Sequence, residues 1–230
     1  MTKIPRKRMH LEWSPSNLGR FMPRTKPFED HALQYEDWFE RNRFAYKSEL
    51  LAIRSQLPEK GKGVEIGVGS GKFAAPLGIK IGVEPARKMG EIAHKRGIEV
   101  ICGIAEALPF DDYQFDFAMM VTTICFLDDI EAALKEAYRV IQRQGYLIVG
   151  FVDKESPLGK LYLKYRDESV FYKIATFYSV DEVVYYLENA GFTDFSFTQT
   201  IFHPLKEIRD IEQIKKGYGE GSFVVVRARK

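Results

Sequence analysis

Val64-Glu65-Ile66-Gly67-Val68-Gly69-Ser70-Gly71 carries the decision about the fold. The first half alternates β-branched apolar residues as a buried strand does. Three glycines at alternate positions then follow without a gap. Glycine reaches positive φ and lets backbone approach a ligand closely. The segment therefore predicts a strand entering a tight turn. Taken alone, G-x-G-x-G fits a purely structural turn equally well.

Moving outward, Pro58 and the loop 59–63 separate this strand from an upstream helical region, 28–57. There Phe28, Ala32, Tyr35 and Phe39, then Tyr46, Leu50, Ile53 and Leu57, recur at helical spacing around an expected break. Downstream, 79–84 reads as a second strand stopped by Pro85. Residues 86–96 read as a helix closed by Gly97, 98–102 as a third strand, and 115–121 as a fourth. The fourth is apolar almost throughout, as a strand covered on both faces should be. Asp128 and Glu131 have capping-box spacing before a helix with the stripe Ile130, Leu134, Ala137 and Ile141. The fifth strand is 146–152. Ser179 and Glu182 open another helix that runs to Ala190. Segments 192–202 and 222–229 read as the last two strands, with 203–221 inserted between them. Alternation of this kind specifies an α/β fold with a mostly parallel sheet and helices on both faces. Ligands of such sheets bind at the carboxyl ends of strands, where strand order reverses.

Glu84 ends the second strand, 17 residues after Gly67. A carboxylate there can accept both hydroxyls of a ribose. A dinucleotide turn wants its third glycine five residues after the first, and Lys72 occupies that place. The P-loop ending G-K-[ST] is also missing, because Phe73 follows Gly71-Lys72.

With these residues in view, the sequence resembles the class I S-adenosylmethionine-dependent methyltransferases, in the ubiquinone-biosynthesis-like branch. Residues 64–71 resemble that family's first motif and Ile81-Gly82-Val83-Glu84-Pro85 its second. Gly103-Ile104-Ala105-Glu106-Ala107-Leu108-Pro109-Phe110 resembles the third. The segments 115–127, 136–141 and 144–147 resemble its fourth and fifth strands with the intervening helix. The resemblance implies a Rossmann-like sheet of seven strands with an antiparallel last strand, and S-adenosyl-L-methionine as cofactor. It implies that Glu65 and the backbone at Gly67 and Gly69 hold the methionine end of the donor and that Gly71 belongs to the same cofactor site; Glu65, inside the first strand, is also expected to support the turn from beneath. Glu84, with Pro85 beside it, would hold the ribose. Ile104, Ala105 and Glu106 would flank the adenine, and Val121 and Thr122 would line the methyl path. Ile104 departs from the family, which often has an acid there; this side chain can only pack. Pro76 and Gly78 also cut short the helix after the glycine turn.

Methyl transfer from a sulfonium needs positioning and exclusion of water, and a base only where the acceptor must lose a proton. Acceptor-binding candidates are Tyr35 and Trp38 in the helical cap, Tyr165 in the aromatic stretch 153–178, and Cys125 beyond the fourth strand. No catalytic base is assigned, His203 reads as a surface residue, and neither the scattered histidines nor the cysteine spacing predicts a metal. The expected acceptor is a small molecule. Two other readings stand beside it: a non-catalytic S-adenosylmethionine- or RNA-binding module, and a nicotinamide-dependent oxidoreductase, against which the misplaced third glycine counts.

Composition sets the frame. The 230 residues are 45% hydrophobic and 29% charged, a balance that excludes wholesale disorder. Two cysteines, no signal-peptide pattern and no membrane-length apolar run predict a cytoplasmic chain without a span. Residues 1–27 hold seven basic side chains and one acid, so they carry +6 and the remainder −4 of the net +2. They are expected to be a flexible basic arm ahead of one methyltransferase domain, 28–230, whose insertions 153–178 and 203–221 lie on the substrate side. The acidic body predicts no tightly held nucleic acid. The arm leaves that question open.

Overall fold

The computed structural model describes residues 23–230, so most of the basic arm lies outside the described residues. The chain opens with three helices, α1 (Lys26–Asp30), α2 (Ala32–Arg41) and α3 (Arg43–Arg54). The break expected in 28–57 falls at two joints. At the second, Asn42 leaves helical φ/ψ, and its backbone N–H at 2.9 Å and side-chain amide at 3.0 Å both donate to Trp38 O, closing the last turn of α2.

Alternating elements follow: β1 (Gly63–Ile66), α4 (Ala74–Leu77), β2 (Ile81–Val83), α5 (Arg87–Lys95), β3 (Glu99–Ile101), β4 (Phe115–Val121), α6 (Ile130–Val140) and β5 (Ile141–Val152). The C-terminal part adds α7 (Pro157–Lys164), α8 (Val180–Asn189), β6 (Thr193–Thr200), β7 (Lys215–Lys216) and β8 (Phe223–Arg229). The helix after the glycine turn lasts four residues. Pro76 lies inside it, and Gly78 at φ 80° is the left-handed cap that ends it.

The strands form one sheet in the order β3-β2-β1-β4-β5-β8-β6-β7. Pairs from β3 through β5 are parallel, and β8 runs antiparallel between β5 and β6. Among the described residues there are eight strands rather than seven. The extra one is the two-residue β7, a short edge inside the 203–221 insertion.

Both faces of the sheet are covered, and β4 shows how. Phe117, Met119 and Val121 face one core while Ala118 and Met120 face the other. Phe115 joins the even-numbered set because a register shift against β5 lies between it and Phe117.

Two sequence expectations move. The cap of α6 is Asp129, whose carboxylate accepts Ala132 N–H at 3.0 Å, rather than Asp128. Asp128 instead donates its backbone N–H to Glu106 Oε1 at 2.9 Å. The arm boundary also shifts. Arg24 donates to Ile174 O at 2.5 Å and pairs with Asp128 at 3.4 Å, and α1 begins at Lys26, so residues 23–27 pack on the domain. The capping box of Ser179 and Glu182 forms as expected.

Candidate functional site

Sheet order reverses between β1 and β4, and a cavity of about 100 Å³ opens at the carboxyl ends of β1, β2 and β4. Its wall includes Gly67, Gly69, Glu84, Pro85, Ile104, Ala105, Glu106, Val121 and Thr122. Nine of the eleven positions singled out for a donor thus converge on one cavity, from segments as far apart as residues 67 and 122.

The glycines divide by role. A Cβ on Gly67 would lie 2.4 Å from Thr123 Cγ2, and one on Gly71 would lie 2.5 Å from Ile98 Cδ1. Packing alone excludes side chains there. Gly69 at φ +53° is different: its nearest neighbours to such a Cβ are Tyr35 Oη at 3.5 Å and Met89 Cε at 3.7 Å. Space beside Gly69 opens to the cavity, which fits a backbone that a ligand approaches closely.

Glu84 is buried at the end of β2. Its Oε2 accepts the Gly69 N–H and its Oε1 accepts the Ala86 N–H, each at 2.8 Å. Burial raises its carboxyl to about 7, against the lowering effect of those two donors. Each oxygen keeps a second lone pair, so the group retains acceptor capacity for a ribose diol. Glu65 lies beneath the turn, outside the cavity wall, with Oε2 lacking a partner among the described residues. Burial pushes its pKa well up while the Ala74 N–H pulls it down. Gly71 is likewise a packing position outside the wall.

A second cavity of about 290 Å³ adjoins the first, and Phe28, Tyr35, Thr122 and Phe126 line both. Its walls are aromatic: Trp38 and Phe39 from α2, Tyr162 from α7, and Phe171, Tyr172 and Phe177 from the stretch after it. Tyr162 and Tyr172 stack 4.3 Å apart. Tyr35, Trp38 and Cys125 belong to this chamber. The Cys125 thiol donates to Thr122 O at 3.2 Å, and burial pushes its pKa to about 12, so it stays protonated and unreactive. Tyr165 lies outside both cavities and is 44% exposed. His203 pairs with Glu212 on the surface, away from either cavity.

Three features escaped the reading of the sequence. Pro23, Arg24, Thr25 and Phe28 form part of the first cavity's wall, where Arg24 pairs with Asp128. Thr122 occupies φ 52°, a rare state for a β-branched residue, at the junction of the cavities. Glu49, only 4% exposed, lines the aromatic chamber. A signal for Glu49 existed: it lies four residues from both Ala45 and Ile53 on the buried stripe of α3, where a carboxylate breaks the apolar pattern.

Known proteins agree with this geometry. The methyltransferase domain family matches residues 64–149. An uncharacterized protein of Methanocaldococcus jannaschii is 44% identical over 203 residues, covering 88% of this chain and 98% of its own. The crystal structure of a Thermotoga maritima S-adenosylmethionine-dependent methyltransferase, described as a "possible histamine N-methyltransferase", is 56% identical with TM-score 0.88. That match covers 89% of this chain and 99% of that one. The demethylmenaquinone methyltransferase of Chlorobaculum tepidum is 32% identical over 55% of this chain and 56% of its own length. With its glycine turn, strand-end carboxylate and switch-point cavity, the chain belongs to the class I S-adenosylmethionine-dependent methyltransferases, and S-adenosyl-L-methionine is its methyl donor.

Proposed function

We propose that this enzyme holds its donor in the switch-point cavity and methylates a small molecule seated in the adjoining aromatic chamber. The observation that carries the reading is the shared wall. Phe28, Tyr35, Thr122 and Phe126 border both cavities, so a methyl group at the mouth of one faces the interior of the other. S-adenosylmethionine supplies an electrophilic methyl on a sulfonium. The chain supplies position and dryness. Glu84 orients the nucleoside side, the Gly67 and Gly69 backbone faces the methionine end, Ile104 and Ala105 give an apolar adenine wall, and Val121 and Thr122 border the path between cavities. Aromatic faces exclude water from the acceptor side and suit a cationic centre.

A chamber of about 290 Å³ fits a small acceptor. The same enclosure disfavours a polymer, as does the acidic body. Among the described residues no helix is long and apolar enough to cross a membrane. We place the enzyme in the cytoplasm, a placement supported by Cys102 and Cys125 being thiols rather than a disulfide.

Calorimetric titration with S-adenosylhomocysteine tests the donor site. The expected result is binding to the wild-type protein that Gly69→Val abolishes. Wild-type protein that is folded and binds neither that compound nor S-adenosylmethionine overturns the reading. For the acceptor side, Trp38→Ala should raise KM for the acceptor and leave donor affinity unchanged.

A further inference from the structure

Glu49 has no role in the donor site, yet it is a carboxylate buried in an otherwise apolar wall. It is 4% exposed and has no hydrogen-bond or ion-pair partner among the described residues. Taking an isolated carboxylate out of water is costly, and proteins retain one only where something pairs with it or where it titrates. The residues around it are nearly all neutral. Tyr35 from α2, Tyr46 from α3, Tyr162 from α7 and Tyr172 each lie within its electrostatic influence, and each phenol is itself pushed upward, chiefly by burial. Tyr172 rises to about 12 and Cys125, also on the wall, to about 12, so neither competes for protons near neutrality. Glu65 also acts on Tyr35, from beneath the glycine turn. Among the described residues lining the chamber, the cationic side chain is Arg41, 64% exposed and paired with Asp37 at 2.8 Å. A carboxylate among aromatic faces repels an anionic acceptor, and a neutral one leaves it unpaired. An ammonium satisfies both the carboxylate and the ring quadrupoles.

Resting on the reading of a donor cavity beside an acceptor chamber, we propose that Glu49 binds and deprotonates a cationic amine acceptor, making this an amine N-methyltransferase. The Glu49 carboxyl, protonated near neutrality in the empty chamber, gives its proton to solvent as the ammonium enters and pairs with the resulting carboxylate. One N–H bond breaks, its electron pair stays on nitrogen and the proton passes to a Glu49 oxygen. The nitrogen pair then forms the new C–N bond as the donor's C–S bond breaks, its pair returning to sulfur. The product is the methylated ammonium, and it leaves Glu49 as the neutral carboxyl it was before the amine entered, so the turnover's one proton is the one released on binding. Burial alone raises the Glu49 carboxyl to about 8, which suits a group that must accept a proton from an amine. Tyr35 spans the two parts. Its hydroxyl lies beside Gly69, and its ring borders the chamber that Glu49 lines.

The test uses 2-phenylethylamine and its hydroxyl counterpart 2-phenylethanol, titrated into the full chain saturated with S-adenosylhomocysteine. The wild type should bind the amine about ten-fold or more tighter than the alcohol near pH 7. Amine binding should also release about one proton, read from the dependence of the heat on buffer ionisation enthalpy. Glu49→Gln, of the same size and uncharged, should lose both the preference and the proton release. Glu49→Asp, which keeps the charge, should retain part of the preference. S-adenosylhomocysteine affinity should stay within about two-fold in all three proteins. An amine that binds no better than the alcohol, or a preference that survives in Glu49→Gln, overturns the proposal while leaving the donor reading intact. Failure of S-adenosylhomocysteine to bind the wild type overturns the donor reading, and this inference with it.

Discussion

The Glu84 carboxylate accepts the Gly69 backbone N–H at 2.8 Å, so the acid expected to hold a ribose also fastens the turn beside it. Two functions of one side chain therefore have to be separated by experiment. Glu84→Ala is expected to weaken S-adenosylhomocysteine binding by about 1.5–3 kcal/mol, the usual worth of hydrogen bonds to a charged group. The wild type should discriminate the 2′-deoxyribose analogue of the ligand, and the variant should not. Equal losses for both ligands would assign Glu84 to the turn alone.

Acidity gives a second measurement at the same residue. Burial raises Glu84 to about 7, and ribose hydroxyls donate to the ionised form. Ligand binding then lowers this pKa, so S-adenosylhomocysteine affinity should increase as pH rises through about 7. Glu84→Gln should flatten that rise. A wild-type affinity that falls between pH 6 and 8 would contradict the assignment.

Gly69 and Gly71 should fail in different ways. Gly69→Val is expected to abolish ligand binding while the circular dichroism spectrum stays that of a folded domain, because space there opens to the cavity. Gly71→Val should instead lower Tm strongly, because its Cβ would meet Ile98 at 2.5 Å and Ala93 at 3.3 Å with φ +80°.

The Arg24–Asp128 pair spans part of the donor cavity wall at 3.4 Å, with side chains 40% and 24% exposed. Exposed pairs contribute roughly 0–1 kcal/mol, so Arg24→Ala should change Tm little. Its effect should appear in ligand dissociation, measured by stopped flow, as a faster off-rate.

Glu49 makes a stability prediction with a definite sign. Its folded carboxyl is raised to about 8 from an unfolded 4.5, so between those values the native state binds the extra proton. Its contribution to stability is full below about pH 4.5 and falls as pH rises toward 8. Glu65 and Glu84 are raised as well and act in the same direction, so the difference from a variant is the useful quantity. Tm of Glu49→Gln minus that of the wild type should grow from pH 5 to pH 8. A constant difference would mean that Glu49 is ionised throughout.

Local sequence determined most of the donor side. A strand, a turn and a strand-end acid are set by short-range periodicity and by glycine's tolerance of positive φ, so Gly67, Gly69 and Glu84 could be read directly. The four-residue α4 was legible for the same reason, since Pro76 and Gly78 act on their own turns. Tertiary structure decided the rest. Asp129 rather than Asp128 caps α6, in a loop held by Glu106, 22 residues from Asp128, which accepts the N–H of both. The family resemblance gives Glu65 a place at the donor's methionine end, while its position inside β1 reads as support beneath the turn; it lies outside the cavity wall, with the Ala74 N–H acting on its carboxylate. The chamber around Glu49 draws on α2, α3, β5, α7 and the 203–221 insertion, which supplies Leu205. Periodicity could say that Glu49 lay on a buried stripe. Only the folding together of segments distant in sequence could say that the stripe faces a cavity.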